Sequence, residues 1–409
     1  MEFDLKKIFE NKKNYLTLLF LIVVIPTVLL LIFSFMYTVD RNPFFKDFQI
    51  YYGWAKEFLQ GGNPYESWVD YPPSFFLFMM PFTFLNIEIA TVVFFMLNIV
   101  LLLLTTLLFI RILNYYDWNF SSKGKIYFFL AILFFYPNRD ILFTGQINIV
   151  LLFLTTLFYY LFFISKSYIG ASICLSTAIF IKIWPITLVP LLLTRKKAIV
   201  ALGLTFLSFF ALSLLIFGIE MHYAFAQTFL ALQTKMSDVA IPSEFESVRF
   251  ATDYIWSLTY TFFKILAFLG VTSSTLHLLD MLLLIPKIFF SAAIIYLIFK
   301  LIDKGREGEI IAFSLSITWI FIVANFAGSS YFAFFALPFV LIILVLESKL
   351  IEKILFASLF LILPSLFAIP FIALKIGGIF PVLSYITPPY FYAFLIWLAI
   401  LYIKLKRLK

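Results

Sequence analysis

The chain has 409 residues, 63% of them hydrophobic and 13% charged, with a mean hydropathy of +1.05 and a formal net charge of +8. No water-soluble domain buries that much apolar surface, so the composition specifies a polytopic membrane protein and excludes a soluble globular one. The positive charge falls in short loops between apolar runs, which makes it a topology signal rather than a nucleic-acid footprint.

The N-terminus carries Lys6, Lys7, Lys12 and Lys13 before an apolar run over 16–36. A run of roughly twenty residues is too long for the core of a signal peptide, and no small-residue cleavage site follows, so it reads as a retained first span. The first outer loop then covers 37–88. Its polar stretch from Asp47 to Gln60 predicts a helix, stopped by Gly61-Gly62-Asn63-Pro64. Tyr71-Pro72-Pro73 opens a second, apolar stretch that lies in, or dips into, the outer interface.

Single crossings are expected over 16–36, 89–112, 126–137, 147–164, 198–218, 277–300, 309–326, 331–347, 354–372 and 389–404. Between them, basic clusters recur at Arg111 to Lys125, Lys166, Arg195 to Lys197, Lys300 to Arg306, Lys349 to Lys353 and Lys404 to Lys409. The positive-inside rule assigns them all, with the N-terminal lysines, to the cytoplasmic side. The run 168–193 begins and ends beside cytoplasmic basic residues, so it cannot be one crossing. It is broken at Lys182-Ile183-Trp184-Pro185, and two half-length helices meeting at the break fit it best.

The fold class is therefore all-α: a bundle of about twelve transmembrane helices with interfacial helices in the outer loops and both termini cytoplasmic. Two further outer loops are expected at 219–276 and 373–388. The former holds Glu244, Glu246, Arg249 and Asp253 before an aromatic stretch, 254–268, of interfacial character. No internal repeat divides the chain, which reads as one integral membrane domain over 1–409.

Asp47 is the first candidate for chemistry. On a helix Tyr51 shares its face, four residues on, and can orient the carboxylate or touch a sugar. The plainer alternative is that Asp47 caps the helix that follows. Lys182 is the second candidate, because an ammonium at membrane depth costs about 2.5–3.5 kcal/mol on insertion scales and usually marks a pathway or an anionic ligand. Its alternative is a lysine snorkelling to the interface. Asp280 and Lys287 lie two turns apart on one helix face, where mutual pairing competes with a role in chemistry.

The segment Arg139-Asp140-Ile141-Leu142-Phe143-Thr144-Gly145-Gln146-Ile147-Asn148 interrupts two spans on the outer side. Arg139 offers a planar fork suited to phosphate oxygens, or it neutralises Asp140. Gln146 and Asn148 suit hydroxyls or a phosphate, or they cap the next span.

The chain has no P-loop, no dinucleotide-binding glycine pattern and no nucleophile elbow. Its one cysteine, Cys174, and two histidines, His222 and His277, make no ligand cluster. No cofactor is expected, and metal dependence stays open.

In order along the chain, Asp47-Phe-x-x-Tyr51-Tyr52, Gly61-x-x-Pro64-Tyr65, Tyr71-Pro72-Pro73 with Pro81-Phe82, Gly145-Gln146-x-Asn148 and Ile181-Lys182-x-x-Pro185 form a recognisable series. It resembles the polyprenol-phosphate-mannose-dependent mannosyltransferases of glycosyltransferase family 87, within the membrane-embedded GT-C superfamily. The resemblance covers the first 200 residues well and the second half mainly in hydropathy. It implies transfer of a sugar, mannose in the family, from a polyprenyl-phosphate donor to a glycolipid or glycan hydroxyl at the outer face of the cytoplasmic membrane, with inversion.

The resemblance also implies Asp47 as general base. Tyr51, Tyr52, Tyr71, Arg139, Gln146, Asn148, Lys182, Arg249, Lys287 and Tyr331 are then the candidates for binding donor or acceptor. Some members carry a histidine in a late outer loop near the donor phosphate. The counterpart here reads Gly328-Ser329-Ser330-Tyr331, which leaves Tyr331 or a lysine for that place. The competing readings are a transporter or flippase of lipid-linked glycans and a surface-polysaccharide polymerase or ligase. The expected partners are the lipid-linked donor, the acceptor and membrane lipids, without nucleic acid.

Overall fold

A computed structural model describes residues 45–67, 69–234, 273–323, 329–346 and 389–407. The expected spans 16–36 and 354–372, the aromatic stretch 254–268 and the third outer loop, 373–388, lie outside the described residues. Among those described, every regular element is helical.

The expected outer helix is α1 (Lys46–Leu59), and it ends where Gly61 takes a positive φ of 83°. The apolar stretch after Tyr71-Pro72-Pro73 becomes the short helix α2 (Ser74–Met79) and a 3-10 turn, Met80–Phe84. Asn86 caps α3 (Ile87–Tyr115) by accepting a hydrogen bond from the Ile89 N–H. Helix α3 is long and apolar enough to cross a membrane. Its buried stripe, Ala90, Phe94, Asn98, Leu102, Thr105 and Phe109, keeps helical spacing, while Val93, Met96, Val100, Leu103 and Leu107 are exposed. With apolar side chains on both faces, the outward one suits lipid.

The expected crossing 126–137 is broken. Helix α4 (Ser122–Phe134) stops, Phe135 leaves helical geometry, and α5 (Tyr136–Thr144) sets off at 61° with Pro137 in its first turn. Helix α6 (Asn148–Tyr159) continues as a π-turn to Ile164 and is followed by α7 (Tyr168–Ile181). The break foreseen in 168–193 is present. Lys182 is extended (φ −154°, ψ 136°), and the chain resumes as a 3-10 turn, Trp184–Leu188, and α8 (Val189–Leu193).

Helix α9 (Lys196–Thr234) kinks at Gly218 (φ 72°, ψ 170°) and is the second helix long and apolar enough to span. The remainder is α10 (Ser273–Leu301), α11 (Gly305–Val323), a 3-10 turn Ser329–Phe335, α12 (Ala336–Leu344) and α13 (Pro389–Arg407). By length and composition the described residues hold two spans, or three if the bent pair α4–α5 is one. The figure of about twelve helices was an expectation for the whole chain.

Helix α7 packs between α6 and α9, α3 packs on α6, and α10 on α11. Ion pairs gather the loop ends at one pole: Lys166–Glu309 at 3.0 Å, Arg195–Asp303 at 2.9 Å and Arg306–Asp117 at 3.7 Å. These pairs are exposed or half-exposed, so each adds little stability, but together they fix which ends of the helices meet. At 1.5 Å per residue, α6 with its π-turn puts Asn148 about 25 Å from that pole. The tip of the 168–193 hairpin, at Lys182, is about 20 Å from it on the same reckoning.

Candidate active site

The site begins with a turn and a close approach. Gly145 ends α5 at φ 73°, and its N–H and that of Gln146 both donate to the Ile141 carbonyl, at 2.9 and 3.1 Å. A Cβ at Gly145 would sit 2.8 Å from Phe45 Cδ1 and 2.9 Å from Phe48 Cβ. Only glycine satisfies both the left-handed turn and this contact. The Phe45 N–H donates to the Phe143 carbonyl at 2.9 Å, so the start of α1 is sewn to the end of α5.

Asp47 therefore lies beside the Gln146 side chain, which favours its charged form. The capping alternative for Asp47 does not hold. The N-cap of α1 is Phe45, in the left-handed region, and no side chain caps the helix. Asp47 stands instead in the first turn, where a negative charge suits the helix dipole. Burial pushes its carboxyl above the ordinary aspartate value; the Gln146 amide beside it and the charges of Lys182 and Lys46 oppose that rise.

Lys182 is the second centre. Its ammonium donates to the Tyr71 hydroxyl at 3.0 Å and lies 4.6 Å from the centroid of the Tyr71 ring and 4.9 Å from that of Tyr331. Each such contact contributes about 0.5–2 kcal/mol, more as water is excluded, and this lysine is buried. A snorkelling lysine would point its ammonium at water, so that alternative fails as well.

The helix breaks at Lys182 because Pro185 removes a donor and disfavours helix before it. The Phe180 carbonyl freed near the end of α7 accepts from Ser74 Oγ at 2.6 Å, which pins the outer-loop segment to the hairpin tip.

Between the two centres runs a pair of phenols. The Tyr51 and Tyr71 hydroxyls lie 2.7 Å apart, and Tyr65 OH donates to the Tyr71 carbonyl at 2.9 Å. Burial holds the Tyr51 and Tyr71 phenols well above their ordinary pKa, so both stay protonated. The Asp70 carboxylate adds to that rise at Tyr51, Tyr65 and Tyr71, which puts a second acid beside the group.

Asn148 does not cap α6; that cap is Ile147, without a side-chain bond. Its amide donates to Gln146 Oε1 at 3.0 Å and to Ser330 Oγ at 2.9 Å. Tyr331 follows Ser330 in the 3-10 turn that packs against α5. Asp47, Tyr51, Tyr71, Gln146, Asn148, Lys182 and Tyr331 thus form one connected group drawn from α1, the outer loop, the α5–α6 turn, the hairpin tip and the 329–335 turn.

Tyr52 is engaged elsewhere: its OH is committed to the Leu85 carbonyl at 2.9 Å, which ties α1 to the start of α3. Arg139 is half-buried on α5, and Lys287 is half-buried on α10, which packs chiefly on α11. Arg249 lies outside the described residues. Sequence reasoning gave no role to Ser330 or Tyr65, whose parts depend on partners 182 and 6 residues away. Among the described residues no three His, Cys, Asp or Glu side chains gather as a metal-ligand set.

Comparison with known families bears on what this pole does. The model of glycosyltransferase family 87 matches residues 68–324, well over half of the chain. The chain belongs to glycosyltransferase family 87. No curated protein and no solved structure matches it. Membership makes the protein a glycosyltransferase, and the apolar helices make it a membrane protein. The family 87 match includes Tyr71, Gln146, Asn148 and Lys182 and begins after Asp47, so the base candidate rests on its geometry beside Gln146 and Lys182 rather than on the matched range.

Proposed function

We propose that the protein transfers a sugar, mannose, from a polyprenyl-phosphate donor to a hydroxyl of a glycolipid or glycan acceptor, with inversion. The observation that carries this is the pairing of a half-buried carboxylate with a caged cation. Asp47 and the ammonium of Lys182 lie near enough for each to feel the other's charge, with the hydroxyls of Tyr51 and Tyr71 between them.

The acceptor oxygen attacks the anomeric carbon as its proton passes to Asp47. The bond from that carbon to the donor's phosphate oxygen breaks, and polyprenyl phosphate departs. A positioned carboxylate contributes about 10²–10⁴-fold to such a step. The leaving group is already a phosphate, so it needs charge stabilisation more than protonation, and a cation in a water-poor site supplies it. Lys182 has that role, the Tyr331 ring lies against its ammonium, and Gln146 orients the base. The Asp47–Lys182 pole lies opposite the basic pole of Lys166, Arg195 and Arg306, which the positive-inside rule assigns to the cytoplasm. Catalysis is therefore at the outer face of the cytoplasmic membrane, in a single GT-C domain with both termini inside.

The test is Asp47→Asn assayed in detergent with polyprenyl-phosphate mannose. Wild-type protein forms product without a gradient or compartment, which a flippase would not, and the folded variant loses turnover. Near-normal turnover by the variant would remove Asp47 as the base.

A further inference from the structure

The turn after Lys182 holds two buried polar groups that have no partner. Trp184 is 7% exposed, and its Nε1–H makes no hydrogen bond. Thr187 is 1% exposed, and its hydroxyl makes none either. Among the described residues, two other indoles and several buried threonines are paired. Trp319 Nε1 donates to Ser291 Oγ at 2.7 Å, and Trp397 Nε1 to Thr318 Oγ1 at 2.6 Å. Thr105, Thr106 and Thr156 each return their hydroxyl to a carbonyl four residues back. Buried donors left unpaired are costly and rare in folded proteins, so an orphan N–H in a rigid aromatic setting points to an absent acceptor.

The setting says what kind of acceptor. Trp184 and Thr187 are three residues apart on a 3-10 turn, where such residues eclipse one another and share a face. The indole packs 4.1 Å from the Phe334 ring and 6.0 Å from Tyr331, and the Tyr331 ring is itself against the Lys182 ammonium. A neutral donor and a hydroxyl thus follow a buried cation along one unwound segment, and irregular backbone at such depth is tolerated where it lines a cavity. Donors grouped around a cation select an oxyanion.

We propose that Trp184 Nε1–H, with the Thr187 hydroxyl beside it, donates to phosphoryl oxygens of the lipid-linked donor, so that the 182–188 segment is the phosphate cradle and Lys182 its first member. This deepens the function proposed above and rests on it. Trp184 is a binding residue, distinct from the acid that takes the acceptor proton.

The experiment measures binding of polyprenyl monophosphate to detergent-solubilised full-length protein, with apo thermal unfolding alongside, for wild type, Lys182→Gln, Trp184→Phe and Thr187→Val. Phe keeps a ring against Phe334 and removes only the N–H. The expected result is a roughly ten-fold weaker Kd for Trp184→Phe, a smaller loss for Thr187→Val, and apo unfolding temperatures at or above wild type, since each variant removes an unpaired buried group. Trp184→Phe with wild-type affinity, beside a weakened Lys182→Gln, overturns this inference and leaves the proposed function standing. Affinity unchanged even in Lys182→Gln overturns both. A lower apo unfolding temperature with the ligand-induced rise intact assigns Trp184 to packing alone and also overturns it.

Discussion

The two halves of the site are built by opposite means. Around Asp47 the structure brings together elements that are each well formed: α1 begins at Phe45, α5 ends at Gly145, and a backbone bond from Phe45 to Phe143 joins them. Around Lys182 it does the reverse. A helix is stopped in mid-course and Lys182 is pulled into extended geometry. The acid keeps a half-exposed position from which it can meet an acceptor arriving from water. The cation is enclosed by aromatic rings, as suits a partner that must be drawn out of water. Chemistry at the first half depends on position, and at the second on desolvation.

The sharpest way to break this comparison is to remove one charge from each half. Asp47→Asn should lower kcat by about 10²–10⁴-fold while donor affinity changes little, read by steady-state kinetics and donor titration. Lys182→Gln should instead weaken donor binding by about ten- to a hundred-fold, because a charge-assisted bond to phosphate is lost. If both variants changed kcat and affinity in the same ratio, the division of labour would be wrong.

Next in size is the hinge between the halves. Gly145→Ala forces a side chain into a left-handed residue and against Phe45 and Phe48, so it should destabilise the protein by about 1–3 kcal/mol, seen as a lower unfolding temperature. It should also cost turnover beyond that, since Gln146 would shift against Asp47. Tyr71→Phe keeps the ring and removes the hydroxyl that accepts from Lys182. A several-fold rise in the donor KM with a smaller change in kcat is expected.

The finest test is pH. A general base works when ionised, and burial raises the Asp47 pKa, so kcat/KM should fall with acid at a pH above the ordinary aspartate range. Gln146 and Lys182 both lower that pKa, so Gln146→Ala and Lys182→Gln should each move the acid limb to still higher pH. The same shift has a consequence for stability. A carboxyl whose folded pKa is raised stabilises the fold below its unfolded pKa and loses that contribution as pH rises through the folded value.

Much of the fold was legible because its signals are local. Helix α1 and its stop at Gly61 follow from a polar helical run and a glycine, and the break at Lys182 follows from Pro185 and a lysine set among apolar residues. The bend at Phe135 was missed. An apolar period continues through it, and only Pro137 hinted that a second helix starts there. In the site, Asp47 and Lys182 stood out because charge is rare in such a chain.

What the sequence alone determined was which residues are costly to bury: a helix-breaking proline, a lysine set among apolar residues, and an acid in a largely apolar chain. Their cost is a property of each residue and its neighbours in the chain, so it can be read without coordinates. What only the tertiary structure decided was who shares that cost. Tyr71 and Tyr331 around Lys182, Gln146 beside Asp47, Ser330 on Asn148 and Phe334 against Trp184 are pairings across as many as 182 residues. Hydrogen bonds and ring contacts act over a few ångströms of space, and hydropathy along the chain does not encode which distant turns close that gap.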